Sequence, residues 1–427
     1  MLGLVIAVAM VMAARAAGAT FVVNVHGDHA PGKCTNSDCT LREAVLAANK
    51  ADGADRIELP GTEAYRLTRE PDTPDPRFGD LDVRDPLRLV HPGPGRAPVE
   101  STVIDRVLES EASLTVRKLV VRGGRVEGSG GGIASRHDLK LVRAKVAQNS
   151  AITAGGIFAG LPVEDPVSLT VRRSRVVGND STGGRGGGIE FEGAELTVRK
   201  STVARNFAGC DGLCLVFDPW DGGGIHADAS TGVISRSTIS DNEAWDHGGG
   251  LSNASDDIEV VNSTIAGNEA RGSGGGLYGA PTSSAELNAV TIARNRADAD
   301  DMDPEGGGGI FGDGGSDVVF IRNSLLARNR TTGGVFQDCD APAPVGVASN
   351  GGNVITTDDD CPFFDHAEDI EAASPLIAQL GDYGGPTQTV KLKAGGPAIG
   401  EADGPNPPAR DQRGALRANP DSGAYER

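Results

Sequence analysis

The sequence predicts an all-β chain wound as a parallel β-helix with a capping helix near its N-terminal end, and three observations predict it. A glycine cluster ending in an aliphatic residue recurs through the middle of the chain, at Ile133, Ile157, Ile189, Ile225, Leu251, Leu277, Ile310 and, more loosely, Val335. An Asn follows each cluster at a nearly constant distance: Asn149, Asn179, Asn206, Asn242, Asn268, Asn295 and Asn329. Ile189 to Asn206, Ile225 to Asn242 and Leu251 to Asn268 each span 17 residues, whereas the return from Asn to the next cluster varies from 6 residues to 19. One half of the unit is held in register and the other accepts insertions, as in a coil with a fixed core and a loop-bearing side.

The fixed half reads as strands. Val146, Val176, Val203, Ile239, Ile265, Ile292 and Leu326 stand three residues before the Asn, and Leu141, Val171, Val198, Ile234, Val260, Leu287 and Ile321 stand five residues earlier still. Leu196-Thr197-Val198-Arg199 alternates with period two, as a strand with one buried face must. A unit of roughly 25 residues cannot bury such a face alone, but coils stacked at about 4.8 Å turn matched positions into ladders. In that stack the Asn is expected at a tight turn, tolerating an unusual φ and hydrogen-bonding to its neighbours. The glycines are expected where φ is positive or backbones approach closely. No Gly-Lys-Ser/Thr follows any cluster, so a phosphate loop is excluded.

Composition agrees: 61 Gly stand against 4 Met, 4 Tyr and 2 Trp, few large side chains for a globular core of this length. The net charge of −19 excludes nucleic acid as an expected partner. Residues 1–19 read as a secretory leader: Leu2 to Ala14 is apolar but short for a membrane span, and Ala17-Gly18-Ala19 is a small-x-small cleavage site. No other stretch approaches membrane length. The six cysteines fall as near neighbours, which predicts Cys34–Cys39, Cys210–Cys214 and Cys339–Cys361 disulfides in an exported chain.

Flanking the repeats, Cys39 to Asn49 is the best helix of the chain, with Thr40 and Glu43 forming a capping box, and it is suited to covering the open end of the coil stack. This segment resembles the CSLREA-type N-terminal segment of secreted bacterial β-helix proteins, with Thr40 where Ser is usual, and Asp55 to Thr62 resembles the strand and turn that follow it. The repeats resemble those of polymorphic outer membrane proteins. Gly381-Asp382-Tyr383-Gly384-Gly385-Pro386-Thr387-Gln388-Thr389, Gly396-Pro397-Ala398-Ile399, Asp411-Gln412-Arg413-Gly414 and Gly423-Ala424-Tyr425-Glu426 resemble a choice-of-anchor Q domain. Together these resemblances imply a right-handed β-helix of the pectate-lyase type on an exported protein, and no particular reaction. The chain ends at Arg427 without an apolar tail or sorting pentapeptide, from which release is expected. The organisation expected is a leader at 1–19, a cap at 20–100, the repeats at 101–355 and the anchor-like region at 356–427.

The repeat register places candidate site residues. One position after the core aliphatic come Phe158, Glu190, His226, Ser252, Tyr278 and Phe311; three after it, Glu192 and Asp228; four before it, Arg185, Asp221, His247 and Ser273. Glu190, Glu192, Asp221, His226, Asp228 and His247 are therefore expected on one face. The longest insertion, Phe207 to Asp221, overhangs this face and carries Phe217 and Trp220. A carboxylate pair of this kind suits Ca²⁺ or acid and nucleophile roles on a glycosidic bond, and a Trp suits a sugar ring. Asp298, Asp300, Asp301, Asp303 and Glu305 form a second acidic group without calcium-hand spacing, and Asp358-Asp359-Asp360 reads as a solvated turn. The Gly-His-Gly and Arg-Ile-Lys tripeptides of polygalacturonase-like enzymes are absent, Asp246-His247-Gly248 being a poor substitute, and no Ser-His-Asp order stands out. The expected role is adhesive, scaffold-like or ligand-binding, toward a polysaccharide or a surface or matrix component; a polysaccharide lyase or glycoside hydrolase on the Glu192/Asp228 face is the alternative.

Overall fold

The computed structural model describes residues 18–427 apart from 73–74, 161–165, 211–219, 299–305, 315–318, 342–345, 357–360 and 362–365. Residues 1–17 of the expected leader, Cys214, Phe217, the Asp300–Glu305 group and Asp358-Asp359-Asp360 therefore lie outside the described residues.

The central coils deliver strands to three parallel sheets. In one coil Leu251–Asn253 and Ile258–Val261 enter the first sheet, Thr264–Ala266 the second and Glu269–Ala270 the third. Two coils run the first-sheet segments together as single long strands, Ile189–Arg199 and Ile225–Ser235. The pairing is parallel from Thr20–Val22 against Asp55–Glu58 to Val354–Ile355 against Ile370–Glu371. The chain is a right-handed parallel β-helix.

The expected ladders form. Ile189, Ile225, Leu251, Leu277 and Ile310 pair in succession, fully buried. Val171, Val198, Ile234, Val260, Leu287 and Ile321 make a second row, and Val176, Val203, Ile239, Ile265, Ile292 and Leu326 a third. The last rung of the first row differs from expectation. Ile310 pairs with Cys339, while Val335 is 60% exposed beside a short 3₁₀ turn at Thr332–Gly334. The return loop there is too short to complete a coil, so the chain reaches the ladder four residues later, where a disulfide to Cys361 fills the core.

The glycines divide two tasks. Gly222 opens its cluster at φ 68°, in the left-handed region. Gly224 ends its cluster at ordinary φ, but a Cβ there would lie 2.5 Å from the Gly250 carbonyl oxygen and 2.9 Å from Asn242 Nδ2. The cluster and the Asn recur together because the glycine packs on the Asn amide of its own coil. The Asn residues are buried and form a continuous ladder, each Nδ2 donating to the next Oδ1 at 2.9 Å from Asn149 through Asn329. The unusual φ expected of them belongs to the preceding residue instead: Gln148, Arg205, Asp241, Arg294 and Arg328 are left-handed, with φ between 54° and 61°. The turn is made one position early so that the Asn amide can point inward along the axis.

At the N-terminal end the helix α1 (Leu41–Ala48) carries the capping box: Glu43 N donates to Thr40 Oγ1 at 3.2 Å and Thr40 N to Glu43 Oε2 at 2.8 Å. Its Leu41, Ala44, Val45 and Ala48 close the apolar interior of the coil stack. Cys34–Cys39 is bonded just before it, as expected.

The C-terminal region folds back as a strap over the second sheet. It contains an antiparallel pair, Ile377–Gly381 with Thr389–Leu392. Thr238 Oγ1 donates to the Gln388 carbonyl at 2.6 Å, Thr264 Oγ1 to Gln412 Oε1 at 2.7 Å, and Ala424 N to Thr291 Oγ1 at 2.9 Å. These three threonines stack in the second sheet, and each anchor comes from one of the segments singled out in the sequence. Those segments dock the strap onto the rod. Among the described residues no helix is long and apolar enough to cross a membrane.

Candidate functional site

The first sheet brings the expected rows together. Glu190, His226, Ser252, Tyr278 and Phe311 are direct neighbours on successive coils, and Glu192 lies opposite Asp228. Arg185, Asp221, His247 and Ser273 stack as well. Gly186 N donates to the Asp221 carbonyl, Gly222 N to that of His247 and Gly248 N to that of Ser273, at 2.9 to 3.0 Å. The row four before the aliphatic folds over the row one after it: His247 stacks on Tyr278 at 4.5 Å and 11°, and Tyr278 lies parallel to Phe311 at 5.9 Å.

This covering decides the electrostatics. His226 is buried, and burial, with Arg185 adding to it, holds its imidazole down at about 3, so it is neutral. Asp221 is pushed up to about 6 by burial, with His247 opposing. Glu192 is raised by burial first and by Asp228 second. Arg185 acts on all three, which ties the rows into one electrostatic unit. Burial first, and then the hydrogen bond Tyr278 donates to Asp313 at 2.6 Å, raise its phenol.

Glu190, His226 and Ser252 fall in the order of a hydrolytic triad, with His226 Nδ1 3.3 Å from Ser252 Oγ, although no such order was evident in the sequence. Yet Ser252 is 1% exposed, so its hydroxyl is sealed from substrate. The three residues form a buried polar row.

Trp220 stands at the edge of this face and has company that sequence reasoning missed. Trp245 lies 6.0 Å from it, edge to face, Phe207 meets Trp245 at 5.9 Å in the same manner, and the Arg271 guanidinium sits 3.7 Å above the Trp245 ring. These are the only two tryptophans of the chain. The signal was available: Trp220-Asp221 and Trp245-Asp246-His247 occupy nearly the same place in successive repeats. Among the described residues, groups of three close metal-type ligands occur at Asp80, Asp82 and Glu109 and at His29, Asp38 and Glu43, near the capped end; Glu192 and Asp228 belong to neither.

Among solved structures the chain is similar to the pectate lyase Pel9A, aligned over 96% of this chain and 97% of that one at 12% identity with a TM-score of 0.40. No family model and no curated protein matches.

Proposed function

We propose that the chain is an exported or cell-surface β-helix protein that binds carbohydrate on the Trp220/Trp245 face, in an adhesive or scaffold role without turnover. The observation that carries this reading is the convergence of both tryptophans, half-buried and edge to face, beside the carboxylate rows. Rings held rigid at an angle, with Trp245 braced by Arg271 and Phe207, suit stacking of a sugar, and neighbouring carboxylates accept hydrogen bonds from sugar hydroxyls. Export is supported by the Cys34–Cys39 and Cys339–Cys361 disulfides, by the leader-like residues 1–19 and by the resemblance of Cys39 to Asn49 to a CSLREA-type segment. The division into a cap at 20–100, repeats at 101–355 and an anchor-like region at 356–427 belongs to the same reading. A neutral-glycan array with and without Ca²⁺, repeated on Trp245→Ala, tests it: binding lost in the variant supports it, and binding by neither protein sinks it.

One observation favours a second reading, a glycoside hydrolase or polysaccharide lyase. Glu192 is raised by burial first and then by Asp228 on the adjacent coil, and a carboxyl that holds its proton more tightly beside a second carboxylate suits general-acid chemistry on a glycosidic bond. Release of shortened glycan in the same array, lost on Glu192→Gln, would replace binding by turnover.

A further inference from the structure

The chain carries a net charge of −19, yet one side of its rod is basic. The corner between the first and second sheets is left-handed in every repeat from Lys118 to Asn323. In five successive coils that corner holds a cation: Lys118, Arg143, Arg173, Lys200 and Arg236, with φ between 52° and 55°. Left-handed backbone favours Gly or Asn, and the later coils do use Asn262 and Asn323. Conformation therefore does not account for the choice of long basic side chains in the first five.

The change coincides with the strap. From Arg236 onward the corner and the second sheet are covered: Arg236 Nε donates to the Gln412 carbonyl at 3.1 Å, Arg417 reaches Asn262 Oδ1 at 3.2 Å, and Thr238, Thr264 and Thr291 are buried. Before Arg236 the equivalent outward positions are Lys145, Arg175 and Thr202, open to solvent or half-buried. Where the strap stops, its Gly385 to Gln388 turn makes one wall of a groove of about 530 Å³ against the second sheet. Arg96, Arg173, Arg175, Lys200 and Arg205 line it, with Asp382 as its single carboxylate. Among the described residues none of Arg173, Arg175, Lys200 and Arg205 makes an ion pair, and the cations crowd one another. Lys200 is pulled down first by Arg236 and then by burial and Arg173, and Lys145 by burial and then by Arg175.

We propose that this groove, with the cationic corner beside it, is a binding site for a linear acidic glycan whose carboxylate or sulfate groups run along the coil axis. Successive coils repeat a cation about every 4.8 Å, which offers a row of charges to a ligand charged at regular intervals. Thr202 and the exposed Gln388 add a hydroxyl and an amide suited to sugar hydroxyls. A single-stranded nucleic acid would need rings for its bases to stack on, and none of the described lining residues is aromatic. The site is separate from the Trp220/Trp245 face and does not depend on it.

Calorimetric titration of the full chain with oligomers of alginate (uronate) and of dextran sulfate, with uncharged dextran as the control, tests the proposal. Binding of either charged glycan, weakening with salt and absent for dextran, is expected. Arg175→Gln with Lys200→Gln should weaken it at least about tenfold and flatten the salt dependence by about two charges, with the melting temperature held or raised because repulsion is relieved. Should that pair fail to fold, the exposed Arg205→Gln gives the same reading with a smaller loss. The proposal falls if neither charged glycan binds at low salt. It also falls if the variants bind as the parent does, or if oligothymidylate binds as tightly as a uronate oligomer of equal charge.

Discussion

Asn329 donates from Nδ2 to Oδ1 of Asp338 at 2.8 Å, so a ladder of seven buried amides ends on a carboxylate. Each ladder amide satisfies both donors and its oxygen. Asn242 Nδ2 donates to Asn268 Oδ1 and to the Val203 carbonyl, while its Oδ1 accepts from Asn206 N and Nδ2. Asn242→Ala removes that acceptor from two buried donors and is expected to cost ~3 kcal/mol, read from chemical denaturation.

Asp338→Asn should also destabilise, although it installs the residue the ladder itself uses. Asp338 accepts on both oxygens, from Asn329 at Oδ1 and from Thr356 N at Oδ2, 2.8 Å away. An amide would turn one acceptor into a donor facing an N–H. A melting temperature equal to the parent's would show that the ladder end does not need an acceptor at both positions.

The ladders show what kind of information a sequence of this type makes readable. Positions that meet their own copies, such as Ile225 on Leu251, repeat in the chain and so disclose their neighbours. The row Glu190-His226-Ser252 was legible from the same register, whereas Trp245 near Trp220 and the cationic corner were equally periodic but were not read together, because their residue types change from coil to coil. The contacts of the strap could not be read at all: Gln412 meets Ser237 and Thr264 across about 150 residues or more with no repeat linking them. The cap falls between these cases, since its capping box is local but the partners of Arg42 are not.

Arg42 makes the third prediction about stability. Its guanidinium meets Asp28 through two hydrogen bonds of 2.9 Å and donates to the carbonyls of Phe78, Gly79 and Asp80, with 1% of the side chain exposed. Arg42→Met leaves Asp28 charged and buried, an expected loss of ~3–5 kcal/mol. Arg42→Lys should rescue little, because one ammonium cannot serve a bidentate carboxylate and three carbonyls at once. Protease cleavage near the helix in both variants, but not in the parent, would be the companion readout.

Asp80 sets a pH dependence at the same end. Burial first, then Asp105, pushes it up to about 8, against the opposing charge of Arg106 at 3.3 Å; Asp82 and Glu109 add to the rise. In the unfolded chain it titrates near ~4. Between those values the folded chain binds more protons than the unfolded one, so this contribution is complete below pH ~4 and is lost as pH rises through about 8. The melting temperature should therefore fall between about pH 5 and pH 8.5, and Asp80→Asn should flatten that fall. An unchanged slope in the variant would assign the pH dependence elsewhere.

Glu192 and Asp228 separate binding from stability on the tryptophan face. They face each other on adjacent coils, Glu192 half-buried and Asp228 exposed, and burial first, then Asp228, raises the Glu192 carboxyl. Glu192 contributes to stability while protonated and loses that contribution as pH rises through its elevated value, above which the empty pair carries mild repulsion. Replacing them together, Glu192→Gln with Asp228→Asn, removes the charges at constant shape. The core aliphatics Ile189 and Ile225 lie on the opposite side of the strands and keep their ladder. Thermal unfolding should stay within about 0.5 kcal/mol of the parent or rise slightly. Glycan binding that uses these carboxylates should be lost, and so should turnover if the face is catalytic. Retained binding in a folded double variant would remove the pair from the site, and an unfolded one would show that it is structural.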